Sequence, residues 1–143
     1  MDLEKALSEL QCELVAYRNQ VNLNQITWKQ YDILELLQSK GTLLAAQIGE
    51  ILDIPKSTIS RNLQKLKNYG YVEQEQGIKD RRELSTSITV EGIRFLESLA
   101  SQRKNLAQVV SGVLIAEEQA TFSELSLKVA EALGQSRSGG KDV

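Results

Sequence analysis

Apolar residues recur at helical spacing as far as Tyr69, the period changes to two after Gly70, most plainly from Leu84 to Val90, and helical spacing returns from Ile93. A period that changes from about 3.6 to 2 and back marks a short β segment enclosed by helices. Within that segment Tyr71–Gln76 reads as one strand. Leu84, Thr86, Ile88 and Val90 alternate with Ser85, Ser87 and Thr89 in a second. Between them lies Gly77-Ile78-Lys79-Asp80-Arg81-Arg82-Glu83, a loop with three positive charges. The expected fold is mainly α with a small β-hairpin whose tip is long and basic.

The helical segments can be delimited from their punctuation. Leu3, Leu7, Leu10, Leu14, Tyr17 and Val21 follow a 4-3-4-3-4 spacing, a narrow seam suited to packing against another helix. Thr27-Trp28-Lys29-Gln30 fits a capping box, and the helix after it buries Tyr31, Ile33, Leu34 and Leu37 until Gly41 ends it. Thr42 is then expected to cap a short helix carrying Leu44, Ile48, Ile51 and Leu52. Pro55 suits the first turn of a third helix running to about Tyr69 and stopping at Gly70. Ile59, Leu63 and Leu66 line its buried face; Lys56, Ser57, Ser60, Arg61, Gln64 and Lys65 lie opposite. After the hairpin, Thr89 caps one long helix with Ile93, Leu96, Leu99, Ala100, Leu106, Ala107, Val110 and Val113 on its apolar side, weakened or ended at Gly112. A last helix carries Phe122, Leu125, Val129 and Leu133, and Gly134–Val143 reads as a frayed tail.

Charge and composition narrow the chemistry. The net charge is −2, but residues 55–90 hold seven basic and four acidic groups between flanks that are net acidic. A basic middle of this kind suits a polyanion. The chain has no histidine, which removes His-based acid–base catalysis, serine and cysteine triads and nearly every zinc site. One cysteine, Cys12, permits no intramolecular disulfide and points to a reducing compartment, so a cytoplasmic location is expected. No run of 18 apolar residues exists to span a membrane, and the acidic start Met1-Asp2-Leu3-Glu4-Lys5 is not expected to be a signal peptide. No phosphate-binding glycine loop, metal-ligand cluster or nucleophile with a base is found. Gly139-Gly140-Lys141 lacks Walker A spacing. Neither enzymatic activity nor a cofactor is expected.

Two short helices joined by a tight turn, the second rich in small polar and basic side chains, form a helix-turn-helix. The second helix of such a pair is expected to enter the major groove of double-stranded DNA. Short hydroxyls allow close approach there, and long cations reach guanine or phosphate. Lys56, Ser57, Thr58, Ser60, Arg61 and Gln64 supply both kinds. The hairpin tip, with Lys79, Asp80, Arg81 and Arg82, supplies a second contact, its arginines suited to a minor groove. Asp80 would repel DNA and is expected to orient Arg81 or Arg82 instead. The alternative is a winged helix serving only as a protein-interaction module.

Five segments, in order, carry a family resemblance. Ile26-Thr27-Trp28-Lys29-Gln30 resembles the Leu-Thr-x-x-Gln opening of the MarR (multiple-antibiotic-resistance regulator) family. Pro55-Lys56-Ser57-Thr58-Ile59-Ser60-Arg61 resembles its recognition helix, and Leu66-Lys67-Asn68-Tyr69-Gly70-Tyr71-Val72 its Leu-x-x-x-Gly-Leu-Val. Asp80-Arg81-Arg82 is similar to its Asp-x-Arg wing, and Ile88-Thr89-Val90-Glu91-Gly92 to its Leu-Thr-x-x-Gly. The resemblance implies a winged helix-turn-helix over 27–92 within a single domain spanning 1–143, with 1–21 and 93–133 as dimerisation helices. It implies a homodimeric regulator, usually a repressor, of a pseudo-palindromic operator, released by a small-molecule effector. Leu3, Leu7, Leu10, Leu14, Tyr17, Phe122, Leu125 and Val129 are then the expected dimer contacts. Tyr17, Trp28, Tyr31 and Phe95 are the candidate effector pocket. The chain departs from the pattern at Asn62, where the family usually has an apolar residue, at Pro55, where it has a small polar cap, and in its short segment before Thr27. Cys12 resembles the lone N-terminal cysteine of the family's peroxide-sensing branch. Its near neighbours Glu9 and Glu13 are anionic, so no redox role is expected of it.

Overall fold

The structure, a computed structural model, describes residues 2–141, with the side chains of 102–104 and 138–141 left out. The first helix, α1 (Leu3–Gln20), starts where the Asp2 carboxylate accepts the amides of Glu4 and Lys5. It has no buried residue. The next, α2 (Trp28–Lys40), opens on the expected capping box: Thr27 Oγ1 accepts the Gln30 amide at 3.2 Å and Gln30 Oε1 accepts the Thr27 amide at 3.0 Å. Ile33, Leu34 and Leu37 on α2 are the centre of the core, packed with Ile48, Ile59, Leu63, Leu66 and Leu96 from the elements around it.

The hairpin is part of a three-stranded antiparallel sheet. Strand β2 (Val72–Gln76) pairs with β3 (Leu84–Ile88) from Val72 opposite Ile88 to Gln76 opposite Leu84. On the other edge of β3 lies β1 (Leu43–Leu44), with Leu43 opposite Thr86. Two residues are too few to show a period, so β1 is not legible in the sequence. Its presence overturns the expected role of Thr42, whose hydroxyl hydrogen-bonds Ser87 Oγ at 2.8 Å instead of capping a helix. The helix that follows, α3 (Ala45–Leu52), begins after Leu44, whose amide donates to Gln47 Oε1 at 2.8 Å.

A left-handed Asp53 ends α3, and Pro55, with φ −57°, precedes α4 (Lys56–Asn68) as its N-cap rather than lying in its first turn. Gly70, at φ +82°, turns the chain out of α4, and the Tyr71 amide returns to the Leu66 carbonyl at 3.0 Å. A left-handed residue at this position favours glycine.

Thr89 caps α5 (Val90–Ser98), its hydroxyl accepting the Gly92 amide at 3.1 Å. The single long helix expected from there is two. It breaks at the buried Leu99, and α6 (Ala100–Val113) takes over. Leu96 and Leu99 keep helical spacing across the break, which hides it from the sequence. Gly112 does lie in the last turn of α6. The frayed tail is also corrected: α7 (Ala116–Lys141) runs on through Gly134, and Arg137 Nη2 donates to the Ile51 carbonyl at the end of α3, 3.0 Å away. Residues 142 and 143 lie outside the described residues.

Candidate nucleic-acid interface

Helix α4 has two faces because its apolar residues recur at i, i+4 and i+7. Ile59, Leu63 and Leu66 are buried against α2 and α3. Ser57, Ser60, Arg61 and Gln64, spaced i, i+3, i+4 and i+7, form an exposed stripe, with Lys56 exposed at its start and Thr58 half-buried beside it. Gln64 Nε2 donates to Asn68 Oδ1 at 3.1 Å, one turn on.

The hairpin tip is an ordered turn. The Gly77 amide donates to the Glu83 carbonyl at 2.9 Å and the Glu83 amide to the Asp80 carbonyl at 3.1 Å. Asp80 Oδ1 accepts both the Arg82 amide, at 3.0 Å, and Arg82 Nε, at 3.2 Å. The backbone N–H of Arg82, and after it the guanidinium, hold the Asp80 carboxyl below the usual carboxylate range. The orienting role expected of Asp80 therefore falls on Arg82, whose side chain is 92% exposed and aimed into solvent by its carboxylate partner. Lys79 and Arg81 are exposed beside it.

Recognition-helix and wing residues come together in one place. An open depression of about 310 Å³ is bordered by Lys56, Ile59 and Ser60 from α4, Arg82 and Leu84 from the hairpin, and Gly49 and Glu50 from α3. Arg61 and Gln64 lie further along α4, away from this depression.

A second cavity, of about 370 Å³, lies between α1, α2 and the α5–α6 junction. Leu14, Val21, Leu23, Leu99 and Leu106 line it together with Tyr17, Trp28, Tyr31 and Arg18. Three of the four candidate pocket residues meet there; Phe95 does not. Phe95 stacks on Tyr71 instead, ring centroids 4.7 Å apart. Trp28 and Tyr31 meet edge to face at 5.1 Å. The Arg18 guanidinium lies 4.0 Å over the Trp28 ring and is ion-paired with Asp32. Burial pushes the Asp32 carboxyl up, and Arg18 only partly offsets it.

Of the expected dimer contacts, Leu3, Leu7, Leu10 and Leu14 on α1 and Phe122, Leu125 and Val129 on α7 are exposed in the single chain, while Tyr17 is half-buried. Sequence reasoning missed the Arg18–Trp28–Asp32 cluster. It also missed the partners of Asn62, whose Oδ1 accepts Gln30 Nε2 at 3.1 Å and whose Nδ2 donates to the Thr58 carbonyl at 3.0 Å. A polar residue at an apolar family position was the available signal. No cluster of histidine, cysteine or carboxylate side chains able to hold a metal occurs among the described residues, and no described helix is long and apolar enough to cross a membrane.

Residues 24–83 match the MarR family. Over 108 residues the chain is 29% identical to the HTH-type transcriptional repressor MdtR of Bacillus subtilis, across 75% of this chain and 69% of that protein. It is 27% identical over 112 residues to the transcriptional regulator HosA of Escherichia coli, across 78% of this chain and 83% of that one. Its fold superposes on the PcaV transcriptional regulator from Streptomyces coelicolor, crystallised with its natural ligand. The TM-score is 0.71 and the identity 26%, over 93% of this chain and 94% of that one. With α3 and α4 as its helix-turn-helix and the β2–β3 hairpin as its wing, the chain is similar to transcriptional regulators of the MarR family in the matched segment and in its fold.

Proposed function

We propose that the chain acts in the cytoplasm as a homodimeric repressor of a pseudo-palindromic operator and is released when a small molecule enters the cavity beside Trp28. The observation that carries DNA binding is the shared depression where Lys56 and Ser60 of α4 meet Arg82 of the wing. Two elements that reach different grooves present their polar groups on one side of the molecule. In this reading Ser57, Thr58, Ser60, Arg61 and Gln64 face base edges, and Lys56, Lys79, Arg81 and Arg82 meet phosphate or the minor groove. The exposed apolar stripes of α1 and α7 cover one another across a two-fold axis, giving half-sites about 34–36 Å apart. Effector release is supported by an apolar cavity with one cation, and by the ligand complex of PcaV.

The test is a binding assay with duplex DNA from upstream of the protein's own gene against random-sequence duplex. Arg61→Ala is expected to cost about 1–3 kcal/mol and to relax preference at one base position if the guanidinium reads guanine. Equal affinity for both duplexes, unaltered by the substitution, would favour a protein-interaction module instead.

A further inference from the structure

Gln30 is the most buried of the polar residues on α2, 2% exposed, and the two ends of its amide serve different elements. Its oxygen accepts the Thr27 amide and closes the capping box. Its nitrogen donates to Asn62 on α4, and Asn62 in turn donates to the Thr58 carbonyl in the first turns of α4. A buried amide left without such a partner is costly, so this chain of bonds holds the start of α2 and the start of α4 in one relative position. An apolar residue at 62 would break it.

The same turn of α2 is the wall of the cavity. At about 100° per residue, Trp28, Tyr31 and Asp32 fall on one side of the helix and Gln30 on the other. Trp28 and Tyr31 line the cavity, and Asp32 pairs with Arg18, which lines it too. We propose that Asn62 is a positioning residue that couples the cavity wall to the recognition helix through the Gln30–Asn62–Thr58 hydrogen bonds. A molecule that displaces Trp28 or Tyr31 turns the start of α2. Gln30 moves with it, and the Thr58 carbonyl and the neighbouring Ser57, Ser60 and Arg61 side chains change their pitch against DNA. Coupling of this kind is reciprocal, so DNA on α4 must be felt at the cavity. The inference rests on the DNA-binding reading above and adds the residue through which that binding is regulated.

Trp28 is the chain's single tryptophan, so emission excited selectively over the four tyrosines reports the cavity wall. The experiment titrates the upstream duplex and a random duplex into full-length wild type, Asn62→Leu and Asn62→Ala. Each substitution removes both the acceptor for Gln30 and the donor to Thr58, and alanine does so without added bulk. Wild type is expected to change its Trp28 emission as the duplex saturates. Both variants are expected to lose that response and to lose preference for the upstream duplex by about tenfold, with the salt slope unchanged because no charge is added or removed. If the leucine variant does not fold, the alanine variant carries the comparison. A wild-type preference and emission response in a folded variant overturns the proposal. So does a parallel loss on both duplexes together with a lower melting temperature, which is a structural effect only. If wild type itself shows no preference, the DNA-binding reading has failed instead. The coupling is then read without DNA: a shift in Trp28 emission or acrylamide quenching on Asn62→Leu supports it, and no shift overturns it.

Discussion

A Cβ built on Gly92 would lie 2.4 Å from the Tyr71 carbonyl oxygen and 2.7 Å from Ile88 Cγ1. Both contacts are shorter than packed atoms tolerate, and one is backbone that cannot swing aside. Gly92→Ala is therefore expected to cost about 1–3 kcal/mol in urea denaturation by forcing α5 off the sheet. Arg18 makes a different kind of prediction. The Asp32 carboxyl is raised by burial and held down only in part by Arg18. Removing the cation raises it further, so the folded state resists the ionised carboxylate at neutral pH. That penalty is relieved as pH falls through the raised folded value and Asp32 protonates. Arg18→Ala is expected to lower the melting temperature more at neutral pH than in mild acid, because the Asp32 carboxyl is raised by burial. Equal losses would mean that Arg18 acts only through its contact with the Trp28 ring.

At the scale of the element, the wing is a turn whose key cation is oriented by its own neighbour. Arg82→Ala is expected to weaken duplex binding and to reduce the salt slope by about 1, with no change in thermal stability. Asp80→Ala removes the orienting group and keeps the cation, so a smaller loss is expected in the same assay. Stronger binding would show that Asp80 merely repels DNA. Because the Asp80 carboxyl is lowered by the Arg82 amide and guanidinium, its hold on Arg82 persists from neutral pH through the usual carboxylate range. It is lost only as pH falls through the lowered value. Elements such as these were legible because their signals are local. Thr27 with Gln30, Thr89 with Gly92, and the alternation of Leu84–Ile88 each lie within a few residues. What stayed hidden depends on distant partners or on spacing that a break preserves. β1 exists only by pairing with β3, Leu99 keeps its period while leaving the helix, and Gly134 looks like tail until Arg137 finds Ile51. The site divides in the same way. The faces of α4 and the Asp80 pairing follow from spacing, whereas the turn of Phe95 toward Tyr71 and the bonding of Asn62 to Gln30, 32 positions away, do not.

For the molecule as a whole, the winged lobe buries its own core, while α1 and α7 leave apolar residues in solvent. Contiguous exposure of this sort marks an association surface. Leu10→Asp is expected to yield monomers in light scattering, where the proposed dimer forms for the natural sequence, and to abolish tight operator binding, while the lobe still melts cooperatively. An unchanged mass would place the seam against its own chain. Cys12 sits on α1, is exposed, and is the only thiol in the chain. A maleimide spin label or fluorophore therefore attaches at a single position in the natural sequence, and two labelled copies yield one inter-label distance. The arrangement of α1 in any assembly, with DNA or without it, can be followed by dipolar spectroscopy with no residue replaced.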